Sequence, residues 1–234
     1  DMRVIYAMWF ASIGGDTHQD KLESFYNKQA HLYDSYRCRM LHGRKELMHE
    51  IPVEKGATWV DLGGGTASNI EFFHGYTDQF KQITVVDLTP SLVQVAKQRV
   101  QKQGWSNVNI ILGDATDSDL SGLPPPGSVD VVSISYALTM IPDWRAALDN
   151  AYKLLKPGGH IAICDFTVSD QQTPWMRWLW KSLFATDHVH LNPAHILELQ
   201  SRFDEKYYNV SFGTFPYVPP FFQCPYHVFI GQKK

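Results

Sequence analysis

Five short apolar runs punctuate the chain: TWVDL at 58–62, ITVVDL at 83–88, VNIIL at 108–112, VDVVSIS at 129–135 and HIAICDF at 160–166. Each is rich in β-branched residues and nearly continuous in hydrophobicity, the pattern of strands buried on both faces of a parallel sheet. Helical periodicity fills the spaces between them. Over 89–103, Thr89 stands at an N-cap position and Pro90 at the first helical position, while Leu92, Val93, Ala96 and Val100 form one apolar face that Gly104 ends. Over 143–156, Ala147, Leu148, Ala151, Leu154 and Leu155 turn inward before Pro157-Gly158-Gly159. Strands alternating with helices predict right-handed βαβ crossovers, hence an α/β domain.

The two ends break this rhythm. Residues 2–12 (MRVIYAMWFAS) are apolar and aromatic without the long core or cleavage site of a signal peptide. They read either as a helix docked on the domain or as a membrane-surface or inter-domain contact. Asp16-Thr17 can cap a following helix, and 17–50 reads as helical, ending near Pro52 and Gly56. Residues 206–215 and 225–231 predict two strands joined by the Pro-rich TFPYVPPFFQCP, an antiparallel pair at the sheet edge. The stretch 167–205 is too long for one crossover helix and predicts a crossover plus an inserted lid. The expected organisation is an N-terminal helical cap over 1–50 that contributes to the active site, then one α/β domain over 51–234. A first residue of Asp1, not Met, suggests a piece of something longer.

Composition narrows the classes. With 21 Lys+Arg against 24 Asp+Glu the net charge is −3, which argues against a nucleic-acid binder that must neutralise phosphates. A hydrophobic content of 44% argues against disorder. No apolar run reaches the roughly 18 residues of a membrane span. Cys38, Cys164 and Cys224 cannot all pair within the chain and lack zinc spacing, and Cys164 lies in an apolar run as a core thiol. No metal is expected.

The chemistry concentrates at the ends of the runs. Val60-Asp61-Leu62-Gly63-Gly64-Gly65-Thr66-Ala67-Ser68 is a strand, a glycine bend and a helix start, where glycines let a ligand approach the backbone. Asp61 before the bend suits a cationic, amino-acid-like ligand and would repel a pyrophosphate. Asp87 ends the second run, where an acid accepts two ribose hydroxyls. Gly113-Asp114-Ala115 follows the third run; Asp114 suits an adenine amino group and Ala115 leaves room for the ring. Each acid alone could be a cap or a loop residue. Together they sit at the carboxyl ends of successive strands, where open α/β sheets bind ligands.

These residues resemble the class I S-adenosylmethionine-dependent methyltransferases. VDLGGGTASN looks like their first motif, TVVDL their second-strand acid, GDAT their adenine motif, and LLKPGGHIAICDF the following turn and strand. The resemblance implies a Rossmann-like, seven-stranded, mostly parallel sheet with helices on both faces and an antiparallel last strand. It implies S-adenosyl-L-methionine as cofactor, bound by Asp61, Gly63, Gly65, Asp87, Leu88, Asp114, Ala115 and Ser135.

The acceptor is read from the flanks. On a helix Tyr26 and Tyr33 share a face two turns apart, and Tyr36 follows three residues on. Phenol faces attract quaternary ammonium, so these tyrosines form a cage for an amine methylated stepwise, or else pack against the domain. The Asn/Asp-Pro-Pro-Tyr sequence of nucleic-acid amino-methylating enzymes is absent after the fourth run, which ends in Ser135-Tyr136. FYNKQAHLYDSYRCRMLHGRKELM, WKSLFATDHVHL and PYVPPFFQCPYHVFIGQKK resemble the methyltransferase module of betaine lipid synthases. That implies trimethylation of diacylglyceryl homoserine at the cytoplasmic face of a membrane such as the endoplasmic reticulum, with a fused or associated aminocarboxypropyl transferase module as partner. Residues 174–184 hold three Trp, a Phe and two cations, which favour a lipid–water interface or a buried crossover helix. His190, His188 and Tyr136 are candidate proton acceptors; Arg37, Arg39 and Arg177 are candidates for the substrate carboxylate. The alternatives are another acceptor (phosphatidylethanolamine, a quinone precursor or a soluble amine), a nicotinamide-dependent oxidoreductase, or a silent interaction module.

Overall fold

The computed structural model describes residues 14–27, 39–73, 76–186, 189–219 and 221–234. Tyr33, Tyr36, Arg37 and His188 lie outside these residues. Seven strands, β1 Thr58–Leu62, β2 Gln82–Asp87, β3 Val108–Leu112, β4 Val129–Ser135, β5 Leu155–Phe166, β6 Phe203–Gly213 and β7 Cys224–Lys233, form one sheet. Its order is β3-β2-β1-β4-β5-β7-β6. Strands β1 to β5 pair in parallel, and β7 inserts between β5 and β6, antiparallel to both. This is the Rossmann-like sheet expected, with the last strand reversed.

The apolar runs become strands because their neighbours cover them. β1 is buried along its whole length, and Val85 and Val86 of β2 are fully buried. β3 departs from the expectation of two covered faces: it is an edge strand, and Leu112 is 46% exposed. Helix α3 (Pro90–Gln103) buries Leu92, Val93 and Ala96 and ends at Gly104 in the left-handed conformation. The Thr89 side chain makes no capping bond; instead the Asp87 carboxylate accepts the Thr89 N–H at 2.9 Å. Helix α4 (Trp144–Leu154) buries Ala147, Leu148, Ala151 and Leu154 on the opposite face of the sheet. β5 starts earlier than residue 160, and Leu155 and His160 pair with Val129 and Val131 across an irregularity that absorbs the Pro-Gly-Gly segment.

Four further α-helices among the described residues pack around this sheet. Helix α1 (His18–Tyr26) starts with a reciprocal cap between Thr17 and Asp20, and helix α2 is the short Arg44–Glu50. Between β5 and β6 lie α5 (Pro174–Thr186) and α6 (Ala194–Arg202). Leu199 of α6 packs into the core beside Phe203 and Phe229. α5 joins a separate aromatic layer, in which Trp180 and Phe184 pack with Phe25, Tyr26, Phe166 and Phe215. That layer roofs one end of the carboxyl edge of the sheet. The thiols of Cys164 and Cys224 are buried, and burial pushes both up.

Candidate active site

A cleft of about 870 Å³, counted to its open mouth, lies over the carboxyl ends of β1 to β4. Gly63, Gly65, Asp87, Leu88, Asp114, Ala115 and Ser135 all line it, as do Tyr26 and Tyr136. The tips of neighbouring strands converge here because the chain leaves each parallel strand at the same edge.

The glycine bend after β1 is stitched to β2. Gly63 and Gly64 donate their N–H groups to the Val86 carbonyl, and Gly65 donates to Asp87 Oδ2 at 2.8 Å. Gly63 has φ +70, and a Cβ there would stand 2.4 Å from the Ala137 Cβ. Only glycine meets both demands. Asp87 thus holds the bend through one oxygen and the start of α3 through the other, and each oxygen keeps a lone pair for a ribose hydroxyl. Burial raises its carboxyl above the ordinary value.

The next tip has a similar design. Asp114 Oδ1 accepts from the Thr116 N–H at 2.9 Å and hydroxyl at 2.8 Å, leaving Oδ2 to accept from an adenine amino group. Asn150 of α4 donates to the Ala115 carbonyl at 2.8 Å and holds this loop from behind. At the β4 tip the buried Ser135 hydroxyl has no partner among the described residues, and it faces the cleft as a lining residue. An orphaned buried hydroxyl beside these two acids fits a polar adenosyl ligand.

Asp61 is placed one layer lower than the sequence suggested. It is fully buried and does not line the cleft; Ser133 donates to Oδ1 at 2.5 Å and Asn69 to Oδ2 at 2.9 Å. Oδ2 lies 2.7 Å from where a Cβ on Gly64 would stand, so its charge acts through the bend. Burial raises this carboxyl to about 6, against the two hydrogen bonds and Arg44, which lower it.

Tyr26 and Tyr136 frame the other end with Ala137 and Met140. Tyr136 has φ +55, and its hydroxyl donates to the His42 carbonyl at 2.6 Å. Burial pushes this phenol well above 10, so it offers the site a ring face and no proton acceptor. The Tyr26 hydroxyl contacts Met140 Sδ at 3.3 Å. Buried Asp165 fixes the loop between them, accepting from the Thr139 N–H at 3.0 Å and hydroxyl at 2.8 Å. His190 is exposed and off the lining, tied to this loop by its N–H to the Thr139 carbonyl at 2.8 Å. Arg177 also lies off the lining, 3.1 Å from Asp170.

Sequence reasoning missed Arg44, Asn69, His18 and the supporting Asn150 and Asp165. Arg44 is buried yet lines the cleft. Its Nε donates to Asn69 Oδ1 at 2.8 Å, and Nη2 to the Ser68 hydroxyl at 2.6 Å. Asn69 was legible as the last letter of the first motif, but nothing local marks Arg44. His18 is the histidine on the wall among the described residues.

Residues 31–204 match the methyltransferase domain family. The chain is 29% identical over 185 residues to the demethylmenaquinone methyltransferase of Listeria welshimeri, covering 76% of this chain and 74% of that one. Among solved structures it is similar to Haemonchus contortus phosphoethanolamine N-methyltransferase 2 in complex with S-adenosyl-L-methionine (TM-score 0.67, 17% identity), over 94% of this chain and 60% of that one. The [4+2]-cyclase SpnF shares the fold too (TM-score 0.64, 16% identity), over 81% of this chain and 79% of that one. A shared fold does not choose the chemistry. The family match does, and the two acids that line the cleft at the β2 and β3 tips agree with it: the chain belongs to the methyltransferase domain family and is a class I methyltransferase that uses S-adenosyl-L-methionine.

Proposed function

We propose that the chain methylates the amine of a lipid headgroup, taking diacylglyceryl homoserine to its trimethylated betaine form. The observation that carries this reading is the acceptor end of the cleft, walled by Tyr26, Tyr136, Ala137 and Met140 without a carboxylate among the described residues. Phenol faces and a thioether stabilise a nitrogen that becomes permanently cationic and cannot donate hydrogen bonds. The resemblance of the flanking segments to betaine lipid synthases supports the same acceptor.

The bound donor supplies an electrophilic methyl on sulfonium, and transfer is an in-line displacement that positioning accelerates. Asp87, Asp114 and the glycine bend hold the adenosyl group. Tyr26 and Tyr136 orient the acceptor nitrogen, with the loop of Tyr136 fixed by Asp165. The amine must arrive unprotonated, and each of the first two rounds releases a proton, for which this reading takes His18, a residue of the cleft wall, as the acceptor.

A lipid acceptor requires access from a bilayer. Trp175 and Trp178 of α5 are 57% and 69% exposed, and Tyr217 and Phe221 are 69% and 74% exposed. Trp175 meets Phe222 edge-on at 6.3 Å, and residues 214–226 carry no charge. This aromatic rim backs onto the layer that roofs the acceptor end and suits a lipid–water interface. No helix among the described residues is long and apolar enough to cross a membrane. The reading places the chain at the cytoplasmic face of a membrane such as the endoplasmic reticulum, beside an aminocarboxypropyl transferase module. A second reading, C-methylation of a quinone precursor, is favoured by the 29% identity to a demethylmenaquinone methyltransferase.

One assay separates them. The purified chain is incubated with labelled S-adenosylmethionine and vesicles containing diacylglyceryl homoserine, phosphatidylethanolamine or demethylmenaquinone, and products are weighed by mass spectrometry. Up to three labelled methyls on the homoserine lipid are expected. Label only on the quinone or on phosphatidylethanolamine overturns the reading.

A further inference from the structure

A short strap, residues 39–43, passes between the cleft and the β6–β7 hairpin. Leu41 and Arg44 line the cleft, whereas the ring of His42 between them lies on the hairpin. Its Nε2 is 2.8 Å from the Thr214 carbonyl, which only accepts, so Nε2 carries the proton. The ring stacks on Tyr226, centroids 5.9 Å apart at 23°. Beneath it is Gly213, the last residue of β6. A Cβ on Gly213 would overlap the ring, 2.8 Å from His42 Cγ and 2.9 Å from Nε2. Gly213 does not take a positive φ, so its missing side chain serves space and not backbone conformation. Gly43 repeats the close approach, since a Cβ there would stand 2.8 Å from Tyr226 Cδ2.

The backbone of the same residue faces the site. The His42 carbonyl accepts from the Tyr136 hydroxyl at 2.6 Å and from the Cys164 thiol at 3.3 Å. Tyr136 stands at φ +55, a strained conformation for a bulky residue, and such residues persist where their surroundings over-determine them. Its N–H donates to the Cys164 carbonyl at 2.7 Å, and Phe166 meets its ring at 4.6 Å. The His42 carbonyl is the third point of support. The strap beyond it is held separately: Arg44 by Asn69 and Ser68, and Glu46 by the Tyr207 hydroxyl at 2.6 Å and the Asn209 amide at 2.7 Å. A shift at His42 is therefore passed to Tyr136 and not to the β2 and β3 tips.

We propose that His42 is a positioning residue for methyl transfer. Its ring, seated on Gly213, sets the carbonyl that holds the Tyr136 hydroxyl, and so fixes the ring wall at the end of the cleft away from Asp114. The outer hairpin thereby controls the geometry of the site without touching it. This rests on the methyltransferase assignment and not on the identity of the acceptor.

Two readouts test it. In proton NMR the Tyr136 hydroxyl should give a downfield, slowly exchanging signal, assigned by its loss in Tyr136→Phe. Turnover is read with labelled S-adenosylmethionine and vesicles holding diacylglyceryl homoserine, phosphatidylethanolamine and demethylmenaquinone together. Gly213→Ala should shift or abolish the hydroxyl signal and lower kcat about tenfold to a hundredfold, the cost of a small misplacement. Its calorimetric affinity for S-adenosylhomocysteine should stay that of the wild type. Adding His42→Ala removes the overlap and should recover part of both losses. Tyr136→Phe keeps the ring without its anchor and should also lower kcat. No such signal in the wild type, an unmoved signal in Gly213→Ala, full kcat in Tyr136→Phe, or a double variant no better than Gly213→Ala overturns the proposal. So does an equal loss of kcat and of S-adenosylhomocysteine affinity, which would mean general damage. If Gly213→Ala does not fold, His42→Ala decides, and an unchanged signal with unchanged kcat overturns the proposal. If no lipid is labelled the lipid reading fails, and the hydroxyl signal in the same variants decides here.

Discussion

Replacing Asp87 by Ala removes an acceptor that serves two masters. Its oxygens hold the Gly65 N–H at 2.8 Å and the Thr89 N–H at 2.9 Å, and a lone pair on each remains for the ribose diol. A hydrogen bond to a charged acceptor contributes about 1.5–3 kcal/mol net. Water entering the space of the lost carboxylate recovers part of two such bonds, so about one bond's worth is lost, an affinity drop of tenfold to somewhat above a hundredfold at about 1.4 kcal/mol per decade. The bend and α3 also lose an anchor, which would weaken every ligand alike. Calorimetry with S-adenosylhomocysteine and with an analogue lacking both ribose hydroxyls separates the two effects. Asp87→Ala should depress binding of the first far more than of the second. Equal depression on both would refute the ribose assignment and leave Asp87 as scaffolding alone.

Tyr26→Ala should lower turnover at least tenfold while S-adenosylhomocysteine affinity stays within a few fold, with Tyr26→Phe nearly normal because the ring remains; loss of thermal stability without loss of kcat would mean the ring only packs. Gly63→Ala should lower both Tm and donor affinity, since its Cβ would meet the Ala137 Cβ at 2.4 Å at φ +70, and adding Ala137→Gly should recover part of each. An undisturbed Tm in Gly63→Ala would contradict the close approach. Burial raises the Asp165 carboxyl from 3.8 to about 6. Between those values the native state holds a proton that the unfolded chain has released, so its contribution makes stability fall as pH rises. Denaturant titrations at pH 4 and pH 7 should show Asp165→Asn shrinking that fall by about 2 kcal/mol; an unchanged difference would show the carboxyl to be unperturbed.

Strand runs and their helices were legible because burial on two faces demands an unbroken apolar sequence, and β1, β2 and β4 met that demand. β3 misled because an edge strand of a parallel sheet needs cover on fewer sides, yet Ile110 and Ile111 keep the apolar look of a central strand. The hairpin of β6 and β7 was visible from its Pro-rich joint. Its insertion order was not, because β7 pairs with β5 across 60 to 72 residues of sequence, from Phe166–Tyr226 to His160–Gln232. Asp87, Asp114 and the glycines were legible as lining residues of the cleft because strand tips fall at fixed offsets from the runs. Arg44 was not found, because its role depends on Ser68 and Asn69, some two dozen residues away.

What the amino-acid order determined alone was local: which segments extend, where helices cap, and which acids stand at strand ends, since each follows from near-neighbour sterics and periodicity. Which acid faces the ligand was decided in three dimensions. Asp61 and Asp87 both stand at the end of an apolar run. Packing of Ser133 and Asn69 over Asp61 buries the one, while the open β2 tip presents the other. Exposure belongs to the neighbours brought from elsewhere in the chain, and no local pattern encodes them.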